Sequence, residues 1–136
     1  MSAVARWGEK ILLVRRVRGP AAGTWAIPGG HVRFGEDLCA AVVREVAEET
    51  RLGCVVERFL GWAEQIDAHD HHVILAFLVE LLDPSAEPRA GDDAVEVRWW
   101  PVEDIRELTL APGLLTFLDD VGVLRSSSRS PSRQHR

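Results

Sequence analysis

From Asp37 to Thr50 the chain reads DLCAAVVREVAEET, with neither glycine nor proline, and this is good helix material. With Leu38 at 0° and an advance of about 100° per residue, Leu38, Ala41, Val42 and Val46 fall in an apolar arc between roughly −60° and +80°. Glu45 then lies near −20°, Glu49 near +20° and Glu48 near −80°, as the same ~100° step dictates. Two carboxylates therefore occupy the stripe meant for a core and a third borders it, where an ordinary amphipathic helix would be apolar. Glutamates at i, i+3 and i+4 stand only about 5–6 Å apart at Cβ and repel one another. Their place near the helix C-terminus adds the unfavourable end of the macrodipole. Something positive has to compensate. Arg44 and Arg51 are close in sequence, and clustered carboxylate oxygens are also the hard ligands that Mg²⁺ or Mn²⁺ prefers. The wheel alone leaves a solvated acidic helix end open as the alternative.

The rest of the chain fits one domain with a mixed α/β pattern. Of 136 residues, 46% are hydrophobic and 27% charged, a globular balance for a length that buries roughly two-thirds of its unfolded surface. ILLV at 11–14 reads as a strand, CVVERFLGWAEQI as one or two strands and HHVILAFLVELL as a long one of about ten residues. VEVRWWPV is a further strand ended by Pro101, and VEDIREL and PGLLTFLDDVGVL read as short helices. RGPAAGTW, IPGGHVRFGE and DPSAEPRAGDDA read as loops. Strands around helices in this order predict an α/β domain over residues 1–124, with the first helix packed on a sheet. Residues 125–136, RSSSRSPSRQHR, carry no apolar side chain and are expected to be a disordered basic tail.

Charge and composition exclude several function classes. The chain has 16 basic and 21 acidic residues; four arginines lie in the last twelve residues, so the body holds 12 against 21, a net −9. A body that acidic is a poor match for nucleic acid, and no partner of that kind is expected. No apolar run reaches the roughly 18 residues that cross a bilayer, and Arg6, Glu9 and Lys10 stand where a signal peptide needs apolar residues. Cys39 and Cys54 read as inert buried thiols of a reduced, cytoplasmic protein.

The stretch GHVRFGEDLCAAVVREVAEETRL resembles the Nudix box, G-x5-E-x7-R-E-U-x-E-E-x-G-U with U a bulky aliphatic. Gly30, Glu36, Arg44, Glu45, Val46, Glu48, Glu49 and Leu52 fall on its required positions. Arg51 stands where the box has its second glycine, a left-handed exit from the helix that costs arginine about 1–2 kcal/mol. WAIPGGHV and EVRWWPVEDI are also similar to the family's approach to the box and its later strand. The resemblance implies an α/β/α sandwich with a mixed sheet and a loop-helix-loop motif. It implies Mg²⁺- or Mn²⁺-dependent hydrolysis of a small phosphoanhydride substrate, a nucleoside triphosphate or a related nucleoside diphosphate derivative. Glu45, Glu48 and Glu49 carry over as metal ligands, with the Gly30 carbonyl as a further one, and Glu36 as the partner that orients Arg44. An acid six residues before Trp99, here Asp93, matches the family's base or extra ligand, with Glu96 and Asp92 as deputies. Arg16 is similar to a phosphate-contacting arginine of some members, and Trp25 and Trp62 are candidate substrate-contacting walls.

Other signals read as structural or contact features. His69, His71 and His72 in DAHDHH lack the spacing of a helical zinc pair and suit a loop entering a strand. Trp99 and Trp100 alternate across one strand, which predicts one in the core and one partly exposed. GPAAGT and PGGHVRFG lack the P-loop and dinucleotide-binding patterns. Alternative activities are an ADP-ribose or nucleotide-sugar pyrophosphatase, a hydrolase of prenyl diphosphates, and a binding module without catalysis, which the intact glutamates disfavour. The chain is expected to act as a monomer or homodimer.

Overall fold

Strand β2 (Lys10–Arg16) shows how the chain is organised, because Ile11, Leu12, Leu13 and Val14 are all fully buried. A strand apolar on both faces must lie between two cores, and alternate residues here do serve different ones. Leu12 joins Ala3, Ala5, Phe77, Val79 and Leu81 beneath helix α1 (Leu38–Thr50), which contributes Val42 and Val46. Ile11 and Leu13 join Val4, Trp25 and Ile27 on the other face, under Ile105 and Leu118. Those two belong to a 3-10 helix, Val102–Glu107, and to helix α2 (Leu114–Asp120).

The sheet is mixed. Besides β2 it contains β1 (Ser2–Trp7), β3 (Trp25–Ala26), β4 (Cys54–Ile66), β5 (His71–Leu81) and β6 (Ala94–Pro101). The order is β3-β2-β1-β5-β4, with β6 also pairing β2. β1 and β5 run parallel and the other pairs antiparallel. Helices on both faces complete the expected α/β/α sandwich. The computed structural model describes residues 1–16, 22–91 and 94–125, so all of the expected tail at 125–136 except Arg125 lies outside the described residues. No helix among them is long and apolar enough to cross a membrane.

The two ends of α1 are built differently. Asp37 caps the start, its carboxylate accepting from the Ala40 N–H at 2.8 Å. At the other end Arg51 takes the left-handed conformation, φ 64°, the one non-glycine residue with positive φ among those described. Its N–H donates to the Ala47 carbonyl at 3.0 Å. The Glu49 and Thr50 carbonyls accept from the Gly91 and Arg89 N–H groups at 3.1 and 2.9 Å. The loop before β6 thus caps the helix, and Gly91 comes so close that a Cβ there would strike the Glu48 carbonyl.

Several expectations need correction. Cys39 is exposed and Leu38 is 41% exposed, because burial on α1 begins one turn later, at Ala41. Cys54 is buried as expected, and burial pushes its thiol up to about 11. Trp99 and Trp100 are both half-buried, since the strand lies between two cores and each ring packs on a different one. CVVERFLGWAEQI is one strand, with irregular pairing between Val56 and Arg58 and between Phe59 and Gly61. β3, within a stretch that reads as loop, is created by pairing with β2 and by a bridge from Trp25 to Leu110.

Candidate active site

The wheel's prediction for α1 holds in burial. Glu49 is buried at 7%, Glu45 is half-buried and Glu48 lies at the rim. The charge these carboxylates require comes from arginines. Arg44 grips Glu36 with two parallel bonds, Nε to Oε2 at 2.6 Å and Nη2 to Oε1 at 2.9 Å. Its remaining nitrogen donates to Glu45 at 3.0 Å and to Glu48 at 3.2 Å, while Nη2 also reaches the His31 carbonyl at 3.0 Å. One guanidinium therefore ties three carboxylates to the loop that enters the helix. Arg33 adds a second hold, its side chain 3.3 Å from Glu48 and its N–H 3.0 Å from Glu36. The Arg44 bond pulls the Glu36 carboxyl down to about 2 and raises the arginine further above its ordinary value.

Glu49 is held separately. Its Oε2 accepts from Arg16 Nη1 at 2.5 Å and its Oε1 from the Gly29 N–H at 3.1 Å. Burial pushes this carboxyl up, and Arg16 and the Gly29 N–H oppose that shift. Arg16 comes from the end of β2, so a sheet strand and the helix meet at this pair. Gly30 closes the gap between them. A Cβ at that position would run into the Glu45 carboxylate and push it from its place against Arg44.

Two clefts open beside these residues. One, of about 580 Å³, is lined by Arg16, Gly29, Gly30, His31 and His72. The other, of about 270 Å³, is lined by Ala26, Ile27, Ile74, Ala76, Leu114 and Phe117. Ser2, Arg16, Gln65 and Ile74 border both.

The structure brings Gly30, Glu36, Arg44, Glu45 and Glu48 into one network, and Arg16 and Glu49 into a second beside it. It does not bring in every expected residue. Trp25, expected as a wall, is a core side chain packed edge-on against Trp100 at 5.3 Å; its neighbours Ala26 and Ile27 line the cleft instead. Trp62 is 60% exposed on β4, away from the cleft linings. Asp93 and Asp92 lie outside the described residues. Glu96 faces Arg15 at 3.1 Å on the β2–β6 pair. In DAHDHH, Asp67 accepts from the His69 and Asp70 N–H groups, both at 2.7 Å, and organises the β4–β5 turn. His71 bonds Glu64 at 2.6 Å, and His72 packs against His31 across the larger cleft. Arg33, the Gly29 N–H and Gln65 are site residues that sequence reasoning missed. Arg33 lies inside the box at an unconstrained position, and Gln65 carries no sequence signal at all.

The metal's fit rests on donor chemistry. Among the described residues no three His, Cys, Asp or Glu side chains form a ready-made cage. Each of the three glutamates is instead turned onto a guanidinium, so positive groups already sit on the carboxylate oxygens. The Gly30 carbonyl accepts from the Met1 ammonium at 2.9 Å, so every member of this set already faces a cation. An all-oxygen anionic set of this kind fits a hard divalent ion in place of those contacts.

A sheet between helices, with a braced carboxylate helix beside a cleft, defines a small α/β domain with an acidic site. The family model described as NUDIX domain matches residues 2–121. The chain belongs to the Nudix family of hydrolases. It is 37% identical over 102 residues to an "ADP-ribose pyrophosphatase" of Methanocaldococcus jannaschii, covering 74% of this chain and 59% of that protein. The chain thus spans about three-fifths of that relative's length. A Mycobacterium tuberculosis protein, provisionally named 8-oxo-dGTP diphosphatase 2, is 32% identical over 95% of this chain and 89% of its own. Among solved structures, a MutT NUDIX hydrolase from Burkholderia pseudomallei superposes with a TM-score of 0.72 at 30% identity, covering 87% of this chain and 92% of its own.

Proposed function

We propose that the chain hydrolyses a phosphoanhydride bond in nucleoside triphosphates or related nucleoside diphosphate derivatives, with Mg²⁺ or Mn²⁺ as cofactor. The observation that carries this reading is the placement of Glu45, Glu48 and Glu49 on one helix, braced by arginines, against Gly30 at the edge of a cleft. Glu45, Glu48, Glu49 and the Gly30 carbonyl would hold the metal. When bound, it neutralises phosphate charge and activates water for in-line attack.

The chain's own residues do the rest. Glu36 fixes Arg44, and Arg44 keeps Glu45 and Glu48 from splaying apart. Arg16 stands where both clefts meet and has donors beyond the one committed to Glu49, so it can grip a phosphate oxygen. Gly30 lets backbone approach the Glu45 carboxylate without a Cβ in the way, and the Gly29 N–H donates to Glu49.

A second reading, hydrolysis of ADP-ribose, is favoured by the 37% identity to the Methanocaldococcus protein. Product analysis separates the two: a nucleoside monophosphate with pyrophosphate, or AMP with ribose 5-phosphate. Release should require Mg²⁺ or Mn²⁺ and stop with EDTA. Full hydrolysis in chelator would overturn the metal assignment.

A further inference from the structure

The boundary between the two clefts has few polar side chains, and they differ in what they can offer a ligand. Arg16 can only donate, and its nitrogens serve Glu49 and, in the reading above, a phosphate oxygen. The Ser2 hydroxyl can rotate to donate or accept and so discriminates little. Glu64, which also lines the smaller cleft, is engaged by His71 at 2.6 Å. Gln65 remains, and it borders both clefts.

The Gln65 side chain is oriented. Its Nε2 donates to the Pro112 carbonyl at 3.3 Å. A carbonyl only accepts, so the amide nitrogen must face it and the flipped arrangement would set oxygen against oxygen. Oε1, which no described residue engages, is thereby left as an acceptor at the mouth of a cleft with a largely apolar wall. A cleft of about 270 Å³ with an apolar lining has room for one ring system. A hydrocarbon there would leave the acceptor unpaired.

We infer that Gln65 is a specificity-determining residue: held by Pro112, it accepts an N–H from the substrate's uncharged part and selects a heterocycle bearing that N–H over an isosteric ring without one. This rests on the hydrolase reading above and deepens it. A site built around a hydrogen bond disfavours the analogue that lacks the partner, because the protein's own group then loses that bond. Gln65 is exposed at the cleft mouth, so water softens the penalty and the discrimination should be about 10-fold.

The test is equilibrium binding without divalent metal, by calorimetry, of ADP and GDP against purine riboside 5′-diphosphate, whose base carries no N–H. The wild type should bind the better of ADP and GDP about 10-fold more tightly than the purine riboside compound. Gln65→Leu should bring that ratio close to one by losing affinity for the N–H-bearing ligand alone. In turnover, KM for that substrate should rise with kcat unchanged. A merely structural role for Gln65 predicts equal weakening of all three ligands and a preserved ratio. A wild-type ratio near one, a ratio preserved in Gln65→Leu, or no binding of any of the three at millimolar concentration would each overturn the inference. Phosphate release is scored separately, so absence of turnover with intact discrimination counts against the hydrolase reading and not against Gln65.

Discussion

Glu45 and Glu48 share a guanidinium from their own helix, whereas Glu49 takes one from a strand 33 residues away in sequence. The first pair runs from the covered Glu45 to Glu48 at the rim, and its clamp is local, set by residues between Gly30 and Arg44. The second is buried, and its partner is supplied by the packing of α1 on the sheet. The helix therefore meets its need for positive charge twice, by one contact written in a short motif and one that only the fold creates. The rim contacts of Glu48 are the ones most easily exchanged for an ion, and the covered ones of Glu45 and Glu49 add rigidity at the cost of desolvation.

Removing Arg44 should have the largest effect. Arg44→Met strands Glu36, Glu45 and Glu48 together, and turnover should fall by roughly 10²-fold or more, with a lower melting temperature. Steady-state rates on folded protein and a melting curve check this. Normal turnover would mean the clamp is decorative.

Arg16→Gln breaks the other contact. Glu49 would keep only the Gly29 N–H, and stability should drop by about 1–3 kcal/mol at neutral pH. Because burial already raises this carboxyl, the cost belongs to the ionised form. It is absent below the unfolded pKa and appears as pH rises through the folded one. Denaturation at pH 5 and pH 8 should therefore show a larger deficit at pH 8. The Glu36 carboxyl has the opposite sign: lowered to about 2 from 4.5, it contributes stability above about 4.5 that is lost as pH falls toward 2. Glu36→Gln should flatten the acid limb of a melting-temperature profile over that window.

The smallest effect is expected at the helix exit. Arg51→Gly relieves a left-handed arginine and should raise stability by about 1 kcal/mol with turnover unchanged. A loss of stability would show that the arginine side chain contributes more there than the backbone strain costs.

What could be read from the sequence follows the same division between local and distant contacts. The bounds of α1 and the turning of its glutamates toward the core were legible because each depends on residues within a few positions, while the left-handed exit at Arg51 was implied only by the family resemblance. β3 was not, since two residues become a strand only when β2 lies beside them. Trp25 was misassigned to a wall because a large aromatic in a glycine-rich stretch gives no sign of the Trp100 ring it packs against. Cys39 lies on the apolar side of the wheel, but a wheel does not say where along its length a helix meets the sheet. The capping of α1 by Arg89 and Gly91 was invisible for the same reason.

The central claim is that the glutamates of α1 are there for chemistry and not to hold the fold, and Glu48→Gln tests it most directly. Glu48 contributes two ion pairs, to Arg44 at 3.2 Å and Arg33 at 3.3 Å, and its side chain is 41% exposed, so their net worth is small. The substitution also removes a like charge near a helix C-terminus. Melting curves with and without Mg²⁺ are measured beside a rate assay. The account predicts metal-free stability equal to or slightly above wild type, loss of most of the stabilisation that Mg²⁺ gives the wild type, and turnover down by roughly 10²-fold. Lower metal-free stability with turnover per folded molecule unchanged would contradict it.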